Sequence, residues 1–152
     1  MRKIETKPNI GKRILAGLMD YAIIFTFTYI FAATYGEPNI DGGYTVEGLP
    51  MLIPIGFWGI MIVGIEQFFG ATLGNYLLDL KPISINGIQE ELTIGQSFKR
   101  HLVDLIDMFC FGLIGIMIIK NTEMNQRLGD LWAKTIVVDM NEYKELNKIT
   151  TE

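Results

Sequence analysis

Apolar positions along the chain fall into long uncharged runs separated by short polar connections. The first run, Ile14 to Ala33, reads ILAGLMDYAIIFTFTYIFAA and holds one charge, Asp20. A helix of about 20 residues covers about 30 Å, one hydrocarbon thickness, so this run predicts a spanning helix. The second run, Leu49 to Phe69, predicts another. Pro50 and Pro54 fall in its first turns, where a missing N–H costs little. Trp58 lies deeper than an interfacial residue should, and Glu66 and Gln67 come near the far end. The third uncharged run, Met108 to Ile119, has only about 12 residues, too few for a full crossing. Extending it back to Leu102 brings in Asp104 and Asp107.

Upstream of that run the pattern is amphipathic. Gln96, Arg100, Asp104 and Asp107 share one helical face, and Phe98, Leu102, Leu105, Ile106 and Phe109 occupy the other. Thr93 with Gln96 forms a capping-box start, so a helix begins near Thr93, with Gly112 and Gly115 allowing a bend further on. Lys81 to Ile85 followed by Asn86-Gly87 reads as a short strand and a hairpin turn, and Thr135 to Val138 is β-branched and strand-like. Strands this short are stable only when paired, which puts both on one side of the membrane. Thr72-Leu73-Gly74 is too short for a phosphate loop and shapes a turn with Gly70. Asn141 to Glu152 is polar and reads as a solvated helix or a frayed end.

Charge sets the orientation. Arg2, Lys3, Lys7, Lys12 and Arg13 precede the first run, whereas the connection from Thr34 to Leu49 carries Glu37, Asp41 and Glu47 and no base. The positive-inside rule places the N-terminus in the cytoplasm. Lys120, Arg127 and Lys134 place the tail there too, which a simple third crossing would forbid. A hairpin-like or re-entrant third region, or two short tilted helices, resolves the conflict. A cleaved signal peptide is disfavoured by the length of the first run, by its aspartate and by the lack of an A-x-A site. The expectation is a mostly α membrane protein with two spanning helices, a bent or re-entrant third helical region and a small cytoplasmic β element. Residues 1–139 form the membrane domain, and 140–152 a polar tail.

Composition removes other classes. With 152 residues the chain has room for one domain. Its mean hydropathy is +0.29. Cys110 is the single cysteine and His101 the single histidine, which excludes a disulfide scaffold and the usual Cys/His zinc site. A net charge of −4 and a pI near 5.0 disfavour nucleic acid. No nucleophile–base set, metal cluster or nucleotide loop is evident, so neither an enzyme nor a cofactor is expected.

The charged residues inside apolar segments carry the chemistry. An aspartate at a helix centre costs about 2.5–3.5 kcal/mol. Asp20 should therefore face protein or water, neutralised by cations or solvent from elsewhere in the molecule: as a packing polar group bonded to a neighbouring helix, in an ion or proton pathway, or against a partner subunit. Arg13, Gly17 and Asp20 line one face, but Arg13 lies about 10 Å away along the axis, too far for a direct pair. Asp130, in the same turn as Arg127, either caps a helix or partners Arg13. Arg100 and Asp104 read as a helix-surface ion pair. Glu66 either reaches the interface or faces Asp20. His101 reads as an interfacial polar residue and Cys110 as a buried small hydrophobe.

Three blocks, KRILAGLMDY, ATLGNYLLDLKPISINGIQEELTIGQSFKR and QRLGDLWAKTIVV, resemble in order and spacing the RDD family of small membrane proteins, named for one arginine and two aspartates. The resemblance runs from about Lys12 to Asp139. On that match the three residues are Arg13, Asp20 and Asp130. Asn75 stands where the family often has a lysine, and Tyr21 where a second acid is sometimes seen. The resemblance implies a multi-pass inner-membrane protein of largely unassigned function. Transport is often suggested for the family, and cation/proton exchange is attributed to some members. The expected function is transport of an ion or small solute through a buried Arg/Asp cluster, with Glu66, Arg100, Asp104, Asp107 and Arg127 in support. Its partners would be the lipid bilayer and further copies of itself or other membrane subunits. The alternative is an accessory subunit of a larger membrane complex.

Overall fold

The computed structural model of the chain describes residues 6–87, 91–107 and 109–151. Arg2, Lys3, Met108 and the side-chain surroundings of Leu105, Phe109 and Cys110 lie outside what it describes. Helix α1 (Ile10–Tyr35) has 26 residues, α2 (Leu49–Phe69) has 21, and each has a hydropathy of 1.8. Only 17% and 11% of their most apolar windows are buried, so their apolar surface points outward, unlike that of a soluble core helix. The bounds of α2 match the apolar run; α1 starts one turn earlier. Helix α2 opens as a 3₁₀ turn with Pro50 and passes through a π segment at Ile60–Gly64. Ile62 and Glu66, one turn apart there, are both buried. Between α1 and α2, β1 (Glu37–Pro38) pairs antiparallel with β2 (Tyr44–Thr45). Asn39 Oδ1 closes that hairpin by accepting from the amides of Asp41 and Gly43.

After α2, Thr72 caps the short helix α3 (Leu73–Leu77). Asp79, at φ 57°, turns the chain into β3 (Leu80–Ser84). The third apolar region is broken into three pieces: α4 (Ile94–Leu102), α5 (Asp104–Asp107) and α6 (Phe109–Asn121). The Thr93 capping box is present: Thr93 Oγ1 accepts from the Gln96 amide, and Gln96 Oε1 accepts from the Thr93 amide. The helix breaks at Val103, and within α6 Gly112 adopts φ 83°, a conformation that glycine permits. Helix α6 is about 20 Å long, short of a crossing.

Helix α7 (Leu128–Ala133) runs through Lys134, at φ 55°, into β4 (Thr135–Asp139). Strands β3 and β4 pair antiparallel, from Leu80 opposite Asp139 to Ser84 opposite Thr135. The expected pair therefore forms, but the hairpin expected at Asn86-Gly87 does not join it. Helices α4 to α7 lie between the two strands in sequence, so the pairing is long-range. Paired strands share a side of the membrane, which agrees with a third region that returns.

The amphipathic face of α4 is turned inside out relative to a soluble helix. Ser97, Arg100 and His101 are buried, whereas Ile94, Phe98 and Leu102 are exposed. Gln96 Nε2 donates to Ser84 Oγ and to the Ala133 carbonyl, tying α4 to the sheet and to α7. The tail is helical, as α8 (Met140–Thr151), but it is not simply solvated. Tyr143 and Leu146 pack on a core of Ile83, Ile136 and Val138. Glu142 accepts from the amides of Lys7 and Asp139 and from Asn9 Nδ2, clasping the segment before α1 to the sheet.

Two glycines allow close backbone approach. A Cβ on Gly74 would overlap the Ala16 carbonyl of α1, and one on Gly129 the Arg100 carbonyl of α4. Around Gly56, in α2, there is open space. We expect Gly74→Ala and Gly129→Ala each to cost about 1–3 kcal/mol through overpacking, and Gly56→Ala to cost nothing. Thermal unfolding in detergent micelles checks this; a stable Gly129→Ala protein would contradict the packing described.

Candidate functional site

The first turn of α7 places Asp130 at the centre of a buried charge network. Its side chain is fully buried. The amide of Arg127, the N-cap residue, donates to Asp130 Oδ2 at 3.2 Å. Arg13 Nη1 reaches the same oxygen at 3.3 Å, and Arg100 Nε reaches Oδ1 at 3.2 Å. Both expected roles of Asp130, local cap and partner of Arg13, are thus present together. Arg13 Nη2 also donates to the Val137 carbonyl of β4 at 3.0 Å. One carboxylate so links α1, α4, α7 and, through Arg13, the sheet.

From Arg100 the network runs to Glu66 of α2, whose Oε1 lies 3.0 Å from Nη1. The Ser97 hydroxyl donates to Glu66 Oε2, and Gln67 Nε2 donates to Ser97 Oγ. His101 bridges two acids: Nε2 lies 3.4 Å from Glu66 Oε1 and Nδ1 lies 2.8 Å from Asp104 Oδ2. Tyr21 of α1 donates its hydroxyl to the same Asp104 oxygen at 2.9 Å. Arg127 Nη1 closes the circuit on Asp104 Oδ1 at 2.7 Å. Its Nε lies 3.8 Å from Asp130 and 4.0 Å from Asp107.

Two aspartates serve helix ends instead. Asp20 Oδ1 accepts from the Gly74 amide, in the first turn of α3, at 2.7 Å. Asp107 accepts from the amides of Leu128 and Gly129, in the first turn of α7, at 3.2 and 3.1 Å. Each carboxylate satisfies donors that a helix start leaves unpaired.

Several expectations need correction. Asp20 is hydrogen-bonded by a backbone amide rather than paired with a cation; the ion pairs among the described residues do not include it. Gly74 can approach because it has no side chain, while Arg13 is held two turns away by Asp130. Arg100 and Asp104 do not form a surface pair. The helix breaks between them at Val103, and each turns to other partners while buried. Glu66 neither reaches the interface nor pairs with Asp20; it is 1% exposed and bound to Arg100. His101 is interior, wedged between two carboxylates.

Outside the spanning helices the electrostatics have clear directions. Burial works against a charged His101, yet Asp104 and Glu66 beside it raise its pKa above the ordinary 6.5. Burial likewise opposes ionisation of Asp104, but Arg127 and His101 hold it at about 2. Asp130 is depressed against the same penalty by Arg100, Arg13 and Arg127. The acids Asp20, Glu66, Asp104, Asp107 and Asp130 outnumber the three arginines, so a protonated His101 brings the set nearest to balance.

The network is open on one flank. A cavity of about 1110 Å³ lies along α1 between α2, α5 and α6. Arg13, His101, Asp104 and Arg127 line its floor, and Leu18 and Ile116 stand among its apolar walls. Arg13 Nε is buried there with no hydrogen-bond partner among the described residues. No group of three or more acidic, histidine or cysteine side chains among the described residues is arranged to hold a metal.

Two candidate spanning helices, a short third helical region and a two-stranded sheet enclosing Arg and Asp side chains define a small membrane protein of mostly α architecture. The model of the RDD family matches residues 7–134, and the chain belongs to that family. No curated protein and no solved structure matches it. Sequence reasoning missed His101, Tyr21, Ser97 and the glycines that receive the carboxylates. The available signal was local: His101 lies three residues before Asp104 and beside Arg100, on the one polar stripe of α4.

Arg100→Gln removes the arginine that Glu66 and Asp130 share, leaving each buried with fewer partners, and should cost about 3–5 kcal/mol. Arg127→Gln should cost less, because its side chain is 21% exposed. Urea unfolding in micelles orders the two. The pH dependence has two limbs. His101, with its folded pKa raised, contributes fully below pH 6.5 and loses that contribution as pH rises through the folded value. Asp104 contributes fully above 3.8 and loses its share as pH falls towards 2. Melting temperature should therefore be highest between about pH 4 and 6.5. His101→Gln should flatten the alkaline limb and, because His101 helps depress Asp104, move the acid limb to higher pH; an unchanged alkaline limb would contradict the bridge.

Proposed function

We propose that the protein moves an ion or small solute across the bacterial inner membrane in exchange for protons. The observation that carries this reading is the Glu66–His101–Asp104 bridge, of which His101 and Asp104 line a cavity that runs along α1. An imidazole between two carboxylates can take a proton from one and release it to the other, and the two carboxylates beside it raise its pKa and favour its protonated form. Arg100 and Arg127 hold the two carboxylates in place. Ionisable groups inside a membrane region are pathway candidates by default, because burial penalises them unless they serve. The N-terminus and both strands of the larger sheet lie in the cytoplasm by the distribution of basic residues. Copies of the chain associate in the bilayer, and no covalent catalysis is involved.

One observation favours the accessory-subunit reading instead. Asp20, the family's first aspartate, is taken up in holding α3, which is an architectural task. Proteoliposomes with an internal pH-sensitive dye separate the two. A sodium or potassium gradient should move protons through the wild type. His101→Gln and Asp104→Asn should slow this at least about tenfold, the ordinary scale of a lost proton-transfer group, in protein that still unfolds cooperatively. Proton-tight wild-type vesicles, or unaltered flux in His101→Gln, would remove the transport reading. Co-purification with a fixed set of other chains would then support the accessory subunit.

A further inference from the structure

We infer that the chain is an internal duplication, and that Arg100 and Asp107 are a second copy of the site formed by Arg13 and Asp20. The inference does not rest on transport. Residues 12–20 read KRILAGLMD and residues 99–107 read KRHLVDLID. Both have Lys-Arg, a leucine two residues after the arginine, a leucine two before the aspartate, and seven residues from Arg to Asp. The two aspartates do the same thing. Asp20 accepts from the amide of Gly74 and Asp107 from that of Gly129. Each glycine ends a Leu-Gly step, T-L-G or R-L-G, that opens a short helix. Each has its missing Cβ against the backbone of the helix that begins its own half, α1 or α4.

The match continues past the glycine. In both halves a residue five positions on adopts the left-handed conformation, Asp79 at φ 57° and Lys134 at φ 55°. Neither is glycine, so both carry the same unusual conformation against its steric cost. A five-residue strand follows at once in each case. The strands then pair antiparallel about Pro82 opposite Val137. Leu80 faces Asp139 while Thr135, its counterpart, faces Ser84, the counterpart of Asp139. That reciprocity is what a two-fold rotation produces when like meets like.

The copies differ in two places. The hairpin α1–α2 is reduced in the second half to the shorter pieces α4, α5 and α6, and the break at Val103 shifts the register: Gly129 lies over Arg100, but Gly74 lies over Ala16, one turn beyond Arg13. The counterpart of Asp130 is Asn75. The paired arginines, Arg13 and Arg100, therefore converge on a single carboxylate. The cavity is lined by counterparts from both halves: Arg13 with Arg100, Asp20 with Asp107, and Thr72 with Arg127. It lies between the repeats, where repeat-built membrane proteins place their sites, and is complete within one chain.

Asp20→Ala and Asp107→Ala, compared in the full chain in micelles, test the equivalence. Both should lower the melting temperature by similar amounts, about 3–8 °C. Hydrogen exchange should mirror: Asp20→Ala speeds exchange at Gly74 at least about tenfold and leaves Leu128 and Gly129 protected, and Asp107→Ala does the reverse. The Asn variants keep one acceptor oxygen and should recover part of each loss; they carry the comparison if an Ala variant does not fold. Asn75→Asp introduced into Asp130→Asn should restore more than half of the lost melting temperature. Wild-type stability and exchange in Asp107→Ala, or a further loss on adding Asn75→Asp, would overturn the duplication. None of these readouts requires flux, so they stand whether or not the vesicles pass protons.

Discussion

A buried carboxylate shared between two arginines is the constraint on which the rest of this fold depends. Asp130 has no exposure to water, and neither does most of Arg100. An ion in such a place is tolerated only when its charge and its hydrogen-bonding capacity are met on every side. Meeting them for Asp130 requires α1 to supply Arg13, α4 to supply Arg100 and the first turn of α7 to supply an amide. Three elements distant in sequence are thereby fixed by one group. Apolar packing alone would fix them less well, because a helix facing lipid has no hydrophobic reason to choose one rotation over another.

The same constraint explains why α4 carries its polar face inward. Ser97, Arg100 and His101 are held against Glu66, Asp104 and Asp130, and the exposed side is made of Ile94, Phe98 and Leu102. In water this face would be an aggregation liability; against acyl chains it is the expected surface. The short helices α3 and α7 obey a related rule. Each begins inside the protein, where its first amides cannot reach solvent, and each is given a carboxylate, Asp20 or Asp107, that does the work water would do.

Much of this architecture was legible in the chain because its signals are local. The runs ending at Ala33 and Phe69, the Thr93–Gln96 capping box and the β-branched Thr135–Val138 segment each specify structure within a few residues. The network was only partly legible. Arg13 with Asp130 was foreseen as a pair, but Arg100 was assigned to Asp104, four residues along the same helix. That pairing assumes an unbroken helix, and the break at Val103 removes it. Glu66 was ambiguous because its direction depends on the rotation of α2, which the π segment at Ile60–Gly64 alters. Asp20 does bond a neighbouring helix, but through an amide, which leaves no mark in a sequence. The glycine that makes room for it does leave one, as T-L-G, and the echo of that step in R-L-G went unread.

The division of labour among the five acids bears on what the network can do. Asp20 and Asp107 are committed to helix starts, and Asp130 to two arginines, so a proton arriving at any of them would loosen the frame. Glu66 and Asp104 differ, because both touch His101, and a proton can pass to the imidazole while each carboxylate keeps an arginine. Asp104 alone of this pair lines the cavity, and it also accepts from Tyr21 of α1. A change in its charge would therefore act on the longest membrane helix as well as on the sheet side through Arg127. Asp130 thus ties the frame together through two arginines, while Glu66 and Asp104 meet at the imidazole of His101 within the same buried cluster.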